Sequence, residues 1–289
     1  MRRKAIRLGV ALALALSVIV PAAGSAGAAP PVRDNSSARP VYFVPGFSTS
    51  GSHDCWFGYW KAAGEAMWSY GWTGSYHTVS FYAPDTNCNT KIYNGDRNTP
   101  INDLGRLLAW NIYSSYSKNG ISVDVIAHSM GGLVIRAALT GVARKLQGWP
   151  PYLYVEDVTT INTPHRGTNL ADLCDTLGRF QQCRDMIPGS SFLNSLYDAP
   201  QSAQGTDWTL IGSDDDDIVS TESALGMSAG HKVAYQSGQG IEHGSVHQTT
   251  TGSYGQWYWN YYDNKWNWTT AGAPPVRVAN NAIYYWWKW

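Results

Sequence analysis

The sequence contains no Cys-x-x-Cys pair, no Cys/His pair at zinc-ligand spacing, no internal repeat and no basic stripe. The first two absences argue against a metal centre, because structural zinc needs closely spaced Cys or His ligands. The third argues against a repeat architecture, and the fourth against nucleic acid as a partner. Long apolar runs are scarce too. The stretch from Leu8 to Val20 falls well short of the ~20 residues that a membrane-spanning helix needs.

That stretch follows Arg2, Arg3, Lys4 and Arg7 and precedes Ala26-Gly27-Ala28. A basic start, a short apolar centre and a small-residue cleavage site, in that order, describe a secretory signal peptide. Residues 1–28 are therefore expected to be removed after Ala28, giving a secreted, extracellular chain with no transmembrane segment. The full chain has 21 basic and 21 acidic residues; loss of four basic ones leaves 17 against 21, a net charge of −4. Four cysteines, Cys55, Cys88, Cys174 and Cys183, fit export as two disulfides. Three connectivities are possible, and the sequence-local one, Cys55–Cys88 with Cys174–Cys183, is the one expected.

Residues 29–39, with Pro, Ser and Asn, read as a loose mature N-terminus. Beyond them, short β-branched runs alternate with amphipathic stretches. Val41–Val44, Tyr76–Tyr82, Ile121–Ile126, Val158–Ile161, Trp208–Ile211 and Val233–Tyr235 read as strands. Residues 54–70, with Trp56, Trp60, Ala63 and Met67 on one face, read as a helix, as do Ile101–Tyr116 and Met130–Lys145. Strands separated by helix-length segments predict βαβ units, a mostly parallel central sheet flanked by helices and hence an α/β fold. One domain is expected over residues 40–250, with an aromatic-rich C-terminal extension over 251–289.

The strand ending at Ile126 runs into Ala127-His128-Ser129-Met130-Gly131-Gly132 and then a helix. A serine at a sharp strand-to-helix turn needs small residues two before and two after it, here Ala127 and Gly131. The helix start also presents unpaired N–H groups and the positive end of its dipole. This motif, with Phe43-Val44-Pro45-Gly46-Phe47 and Thr163-Pro164-His165-Arg166-Gly167-Thr168, resembles the secreted bacterial lipases and esterases of the α/β-hydrolase superfamily, including small ones with Ala in place of the first Gly. The resemblance covers about residues 40–250 in the family's order. It implies a Ser-Asp-His triad, no cofactor, and an ester or lipid as substrate.

Ser129 is the expected nucleophile, and Met130, the residue after it, an expected oxyanion-hole donor. By the resemblance, the second donor is the N–H of Phe47, with Pro45 standing where the family has His. The acid should follow the strand ending at Ile211, where Asp214, Asp215, Asp216 and Asp217 are adjacent. Similar lipases carry it three residues before a buried Val, which selects Asp216; Asp217 is the alternative, and the others are expected to be solvated. Calcium on these carboxylates would require oxygen ligands from elsewhere, so no metal is expected. The base must be a histidine in the loop after the last strand, which favours His243 over His247; His231 falls at the wrong end. His128 and His165 read as structural.

Tyr258-Trp259 to Asn267-Trp268 alternates polar and aromatic residues and predicts a hairpin turning near Asp263-Asn264. The aromatics, including Trp286, Trp287 and Trp289, serve either to pack on the body or to meet lipid aggregates, a polysaccharide or a polyester. A monomeric ester hydrolase is expected, most directly a triacylglycerol lipase. A short-chain esterase, phospholipase, polyester hydrolase or acyltransferase would use the same residues, and a binding protein on an inactive body would lack an activated serine.

Overall fold

The computed structural model describes residues 29–169, 180–260, 262 and 264–285. The signal sequence, Cys174, Asp263, Trp286, Trp287 and Trp289 lie outside the described residues.

Among the described residues, nine strands form one sheet: β1 (Val41–Val44), β2 (Tyr76–Tyr82), β3 (Thr90–Gly95), β4 (Val123–His128), β5 (Val155–Ile161), β6 (Asp207–Ser213), β7 (His231–Tyr235), β8 (Tyr254–Asn260) and β9 (Lys265–Gly272). Their spatial order is β3-β2-β1-β4-β5-β6-β7-β8-β9. Pairing is parallel from β3 through β7, and β8 and β9 close the edge antiparallel. The helices are α1 (Lys61–Ser69), α2 (Ile101–Ser115), α3 (Met130–Ala143), α4 (Gln181–Asp185), α5 (Ser191–Ser195), α6 (Thr221–Ala224) and α7 (Pro275–Tyr284). Strand alternation sorts the core into two layers. Tyr42 and Val44 of β1 face α2 and α3, while Val41 and Phe43 face α1 and α7. The chain winds outward both ways from β1 and β4, so the strand order reverses between them. In open α/β sheets, the crevice at the carboxyl ends of two such strands is the natural ligand position.

Several elements differ from the sequence expectation. Residues 54–70 are not one helix: a π-helical turn, Trp56–Trp60, precedes α1. β3, mostly exposed, carries no clean apolar pattern and was not expected. β5 starts at Val155, earlier than expected, because Glu156 and Asp157 sit buried within it. The hairpin of residues 254–272 pairs with β7 and extends the sheet, and α7 inserts Val276, Val278, Ala279 and Ile283 into the core. Cys55 and Cys88 are bonded, with Cα atoms 5.0 Å apart; Cys183 is buried.

Residues 33–39, read as loose, are instead tied to the amino ends of β4 and β5. Arg39 pairs with Asp124 at 3.3 Å and Glu156 at 3.1 Å, and Arg33 with Asp157 at 3.4 Å. Burial pushes Asp124 up to about 8; Arg39 pulls it back, and Glu156 pushes it further up. The folded chain therefore holds a proton there that the unfolded chain, titrating near 3.9, has lost. The extra proton is bound in the folded state between those values, so the stabilisation it brings declines as pH rises through about 8 and is gone well above it, where the slope levels off. We expect the urea midpoint to fall from pH 7 to pH 9, and Asp124→Asn to flatten that slope. A wild-type midpoint that rises over this interval would contradict an uncharged Asp124.

Candidate active site

β4 delivers Ser129 into the crevice at the switch point. Its φ of 55° and ψ of −131° place a non-glycine residue in a strained region of backbone space. The turn survives because its surroundings hold it. Ser129 N–H donates to Ile161 O at 2.9 Å, and Thr163 Oγ1 donates to Ser129 O at 2.9 Å. The small residues are required sterically: a Cβ on Gly131 would lie 2.3 Å from Val44 O, and one on Gly46 2.7 Å from Ser129 Cβ. Ala127 is wholly buried between the strands.

His243 lies in the loop after β7, with Nε2 3.0 Å from Ser129 Oγ. Its Nδ1 lies 2.7 Å from Asp216 Oδ2. A carboxylate only accepts, so Nδ1 carries the proton and Nε2 is left to accept from the serine hydroxyl. Asp216 is held by four donors. Ile218 and Val219 N–H groups donate to Oδ1 at 2.8 Å each, and the Asn162 amide and His243 donate to Oδ2. Asp217 is exposed and lies outside this set.

Phe47 and Met130 flank the serine from two elements. Met130 is the first residue of α3, so its N–H has no acceptor within the helix. The Phe47 N–H has no acceptor among the described residues. The peptide before Phe47 is anchored from behind: Gly46 N–H donates to Tyr59 Oη at 2.9 Å, and Tyr59 Oη lies 2.6 Å from His128 Nδ1. The Tyr59 hydroxyl thus bridges the Gly46 peptide to the His128 ring. The His128 ring stacks 4.2 Å from that of His247 and lies 4.9 Å from that of His243. Burial drives His128 well below its ordinary value, with His247 and His243 adding to the effect. His247 is lowered to about 3, again by burial first and then by His243 and His53. Both rings stay neutral where a charge forming on His243 would otherwise be repelled.

His231 sits at the amino end of β7, far along the strand from His243, and pairs with Asp207. His165 is buried, with Nε2 3.0 Å from Thr160 Oγ1. The expectation that the other aspartates are solvated holds for Asp214, which is exposed, and needs correcting for Asp215. Asp215 accepts from the N–H groups of Gly238, Gln239, Gly240 and Ile241 at 2.6–3.3 Å, and Asp214 accepts from Thr221. Burial raises the Asp215 carboxyl, but these four N–H groups outweigh it and hold it below its ordinary value. Asp215 therefore pins the segment leading to His243, while its neighbour holds the imidazole. Tyr59, Asn162 and Asp215 were not singled out from sequence. Asp215 looks like its neighbours there, and nothing local marks the other two.

Sheet order, strained serine turn and crevice are those of the α/β-hydrolase fold. Residues 105–181, from α2 past Ser129, match a domain family of unknown function (DUF7379). No curated protein matches the sequence. Among solved structures, Aspergillus fumigatus lipase B is 13% identical with a TM-score of 0.50, over 86% of this chain and 56% of that one. The mature form of Bacillus licheniformis lipase BlEst2 is 20% identical with a TM-score of 0.45, over 67% of this chain and 82% of that one. An extracellular α/β-hydrolase from a Paenibacillus species is 14% identical with a TM-score of 0.40, over 72% and 93%. The chain thus spans just over half the length of the Aspergillus lipase, and its likeness to it is one of fold.

Proposed function

We propose that this protein is a secreted serine carboxylic ester hydrolase, with acylglycerols as its substrate class. The observation that carries the reading is the continuous path Ser129 Oγ–His243 Nε2–His243 Nδ1–Asp216 Oδ2, at 3.0 and 2.7 Å, beneath a strained serine.

In this reaction Ser129 Oγ attacks the ester carbonyl carbon as His243 Nε2 takes its proton. The carbonyl oxygen becomes an anion facing the Phe47 and Met130 N–H groups. Asp216 holds the imidazole tautomer and stabilises the imidazolium. His243 then protonates the departing alcohol, leaving an acyl-serine. Water, deprotonated by His243, attacks that acyl group; a second oxyanion collapses and Ser129 regains its proton. None of these steps calls for a cofactor.

Tyr59 acts one step away, as a positioning residue that fixes the Gly46 peptide and so the direction of the Phe47 N–H. Tyr59→Phe keeps the ring and removes the hydroxyl. We expect kcat to drop about tenfold with KM unchanged, the pattern of an interaction needed in the transition state. A rise in KM alone would assign Tyr59 to substrate binding instead.

A nitrophenyl ester series of increasing acyl length, run beside emulsified triglyceride, tests the substrate class. The lipase reading expects turnover of the emulsion and of long chains. Activity confined to soluble short esters would leave an esterase.

A further inference from the structure

A second cavity, of about 470 Å³, opens beside α3 and contains none of Ser129, Asp216 or His243. Arg136, His165, Arg166, Asp198, Ser228 and Lys232 line it. Arg136 is 6% exposed, in the middle of a helix whose neighbours from Met130 to Val142 are all buried. Such a position normally goes to an apolar residue, and a buried guanidinium normally has a carboxylate partner. Here Nε donates to Tyr197 O at 2.9 Å and Nη1 to His165 O at 3.0 Å, both neutral acceptors. None of its nitrogens reaches a carboxylate among the described residues.

Lys232 is similar. Its Nζ donates to Leu225 O at 2.9 Å and pairs with no carboxylate among the described residues. The one acid in the wall, Asp198, already accepts from Ser228 N–H at 2.7 Å and Ser228 Oγ at 2.6 Å. Arg166, at the rim, bonds Glu222 on its outer side. The wall therefore holds more cationic donors than carboxylates to pair with them. Burial lowers Arg136 and Lys232 from their ordinary values, and Asp198 only partly offsets it. With Glu222 held by Arg166, three cations face two carboxylates and leave one excess positive charge together with several unused N–H donors, which the multiple oxygens of a phosphate group can accept from at once.

We propose that this cavity binds a phosphate group, as the free anion or as a small phosphate ester, through Arg136, Lys232 and Arg166. The inference is independent of ester hydrolysis at Ser129. The cavity is larger than a phosphate alone requires, which leaves room for a substituent on the ester oxygen.

Calorimetric titration of the full-length mature chain with inorganic phosphate, glycerol phosphate, acetate and chloride at matched ionic strength tests this. Saturable 1:1 binding of phosphate or glycerol phosphate is expected, weakened at least tenfold in Lys232→Gln and in Arg166→Gln. Both positions are accessible enough that these variants should fold, and Lys61→Gln on the far surface should bind as wild type does. Tighter binding of glycerol phosphate would assign the site to an ester, and equal binding to the free anion. Acetate binding as tightly as phosphate, no binding beyond chloride, or full binding by Lys232→Gln would each overturn the proposal.

Discussion

Ser129→Ala is expected to lower kcat on any ester substrate by about 10⁴- to 10⁶-fold while leaving the fold and its denaturation midpoint close to wild type. The magnitude is that of removing the nucleophile from an acyl-transfer site whose oxyanion donors remain. The side chain is small, and its backbone torsions are imposed by Ile161, Thr163 and the glycines around it. Loss of the hydroxyl therefore removes chemistry and little packing. A variant that retains more than a hundredth of wild-type kcat would mean that another group attacks the ester. Circular dichroism and a urea titration separate that outcome from misfolding.

The second large effect concerns the acid, for which the sequence leaves two adjacent candidates. Asp216→Asn should lower kcat by about 10⁴-fold, because an amide presenting N–H towards His243 favours the wrong imidazole tautomer. Its neighbour behaves differently. Asp217 is exposed, outside the hydrogen bonds that converge on Asp216, so Asp217→Asn should stay within about twofold of wild type. Steady-state kinetics of the pair on one soluble ester decides between them. Equal losses in both, or a larger loss at Asp217, would move the acid by one residue. Asp215→Asn should fall between the two, since it loosens four backbone N–H groups before His243 rather than the imidazole itself.

These contrasts show where the sequence was readable. The strand before Ser129 is buried throughout, and the helix after it from Met130 to Val142, so their continuous apolar character and the tertiary structure agree. The order of Ser129, Asp216 and His243 along the chain carries their relation, although they come from three separate loops. Local pattern failed where distant partners set the structure. Glu156 and Asp157 read as polar and ended the apparent strand, yet Arg33 and Arg39 from a segment read as loose let them be buried within β5. Tyr59 lies on a face that helical spacing did not pick out, because a π-helical turn rotates it towards Gly46 and His128. Asn162 reaches Asp216 across two strand ends, a contact of which neither residue's neighbours give any sign. The hairpin itself was legible, but not its pairing with β7, since pairing partners depend on topology and not on the strand's own alternation.

The aromatic hairpin is half of each reading made of it. Its backbone belongs to the sheet, while Trp257, Trp266 and Trp268 each remain at least 40% exposed on it. Trp257 lies opposite Trp268, and Trp259 opposite Trp266, so the four indoles share one face. None of them is in hydrogen-bond contact with Ser129, Asp216 or His243, and catalysis as derived above does not involve them.

The central claim is that Ser129 is an activated nucleophile. Its most direct test is to treat the mature protein with a fluorophosphonate, digest it and locate the adduct by mass spectrometry. A single adduct on the peptide containing Ala127-His128-Ser129-Met130, appearing in step with loss of ester turnover, is the predicted result. An adduct on another serine, or undiminished turnover in fully labelled protein, would contradict it.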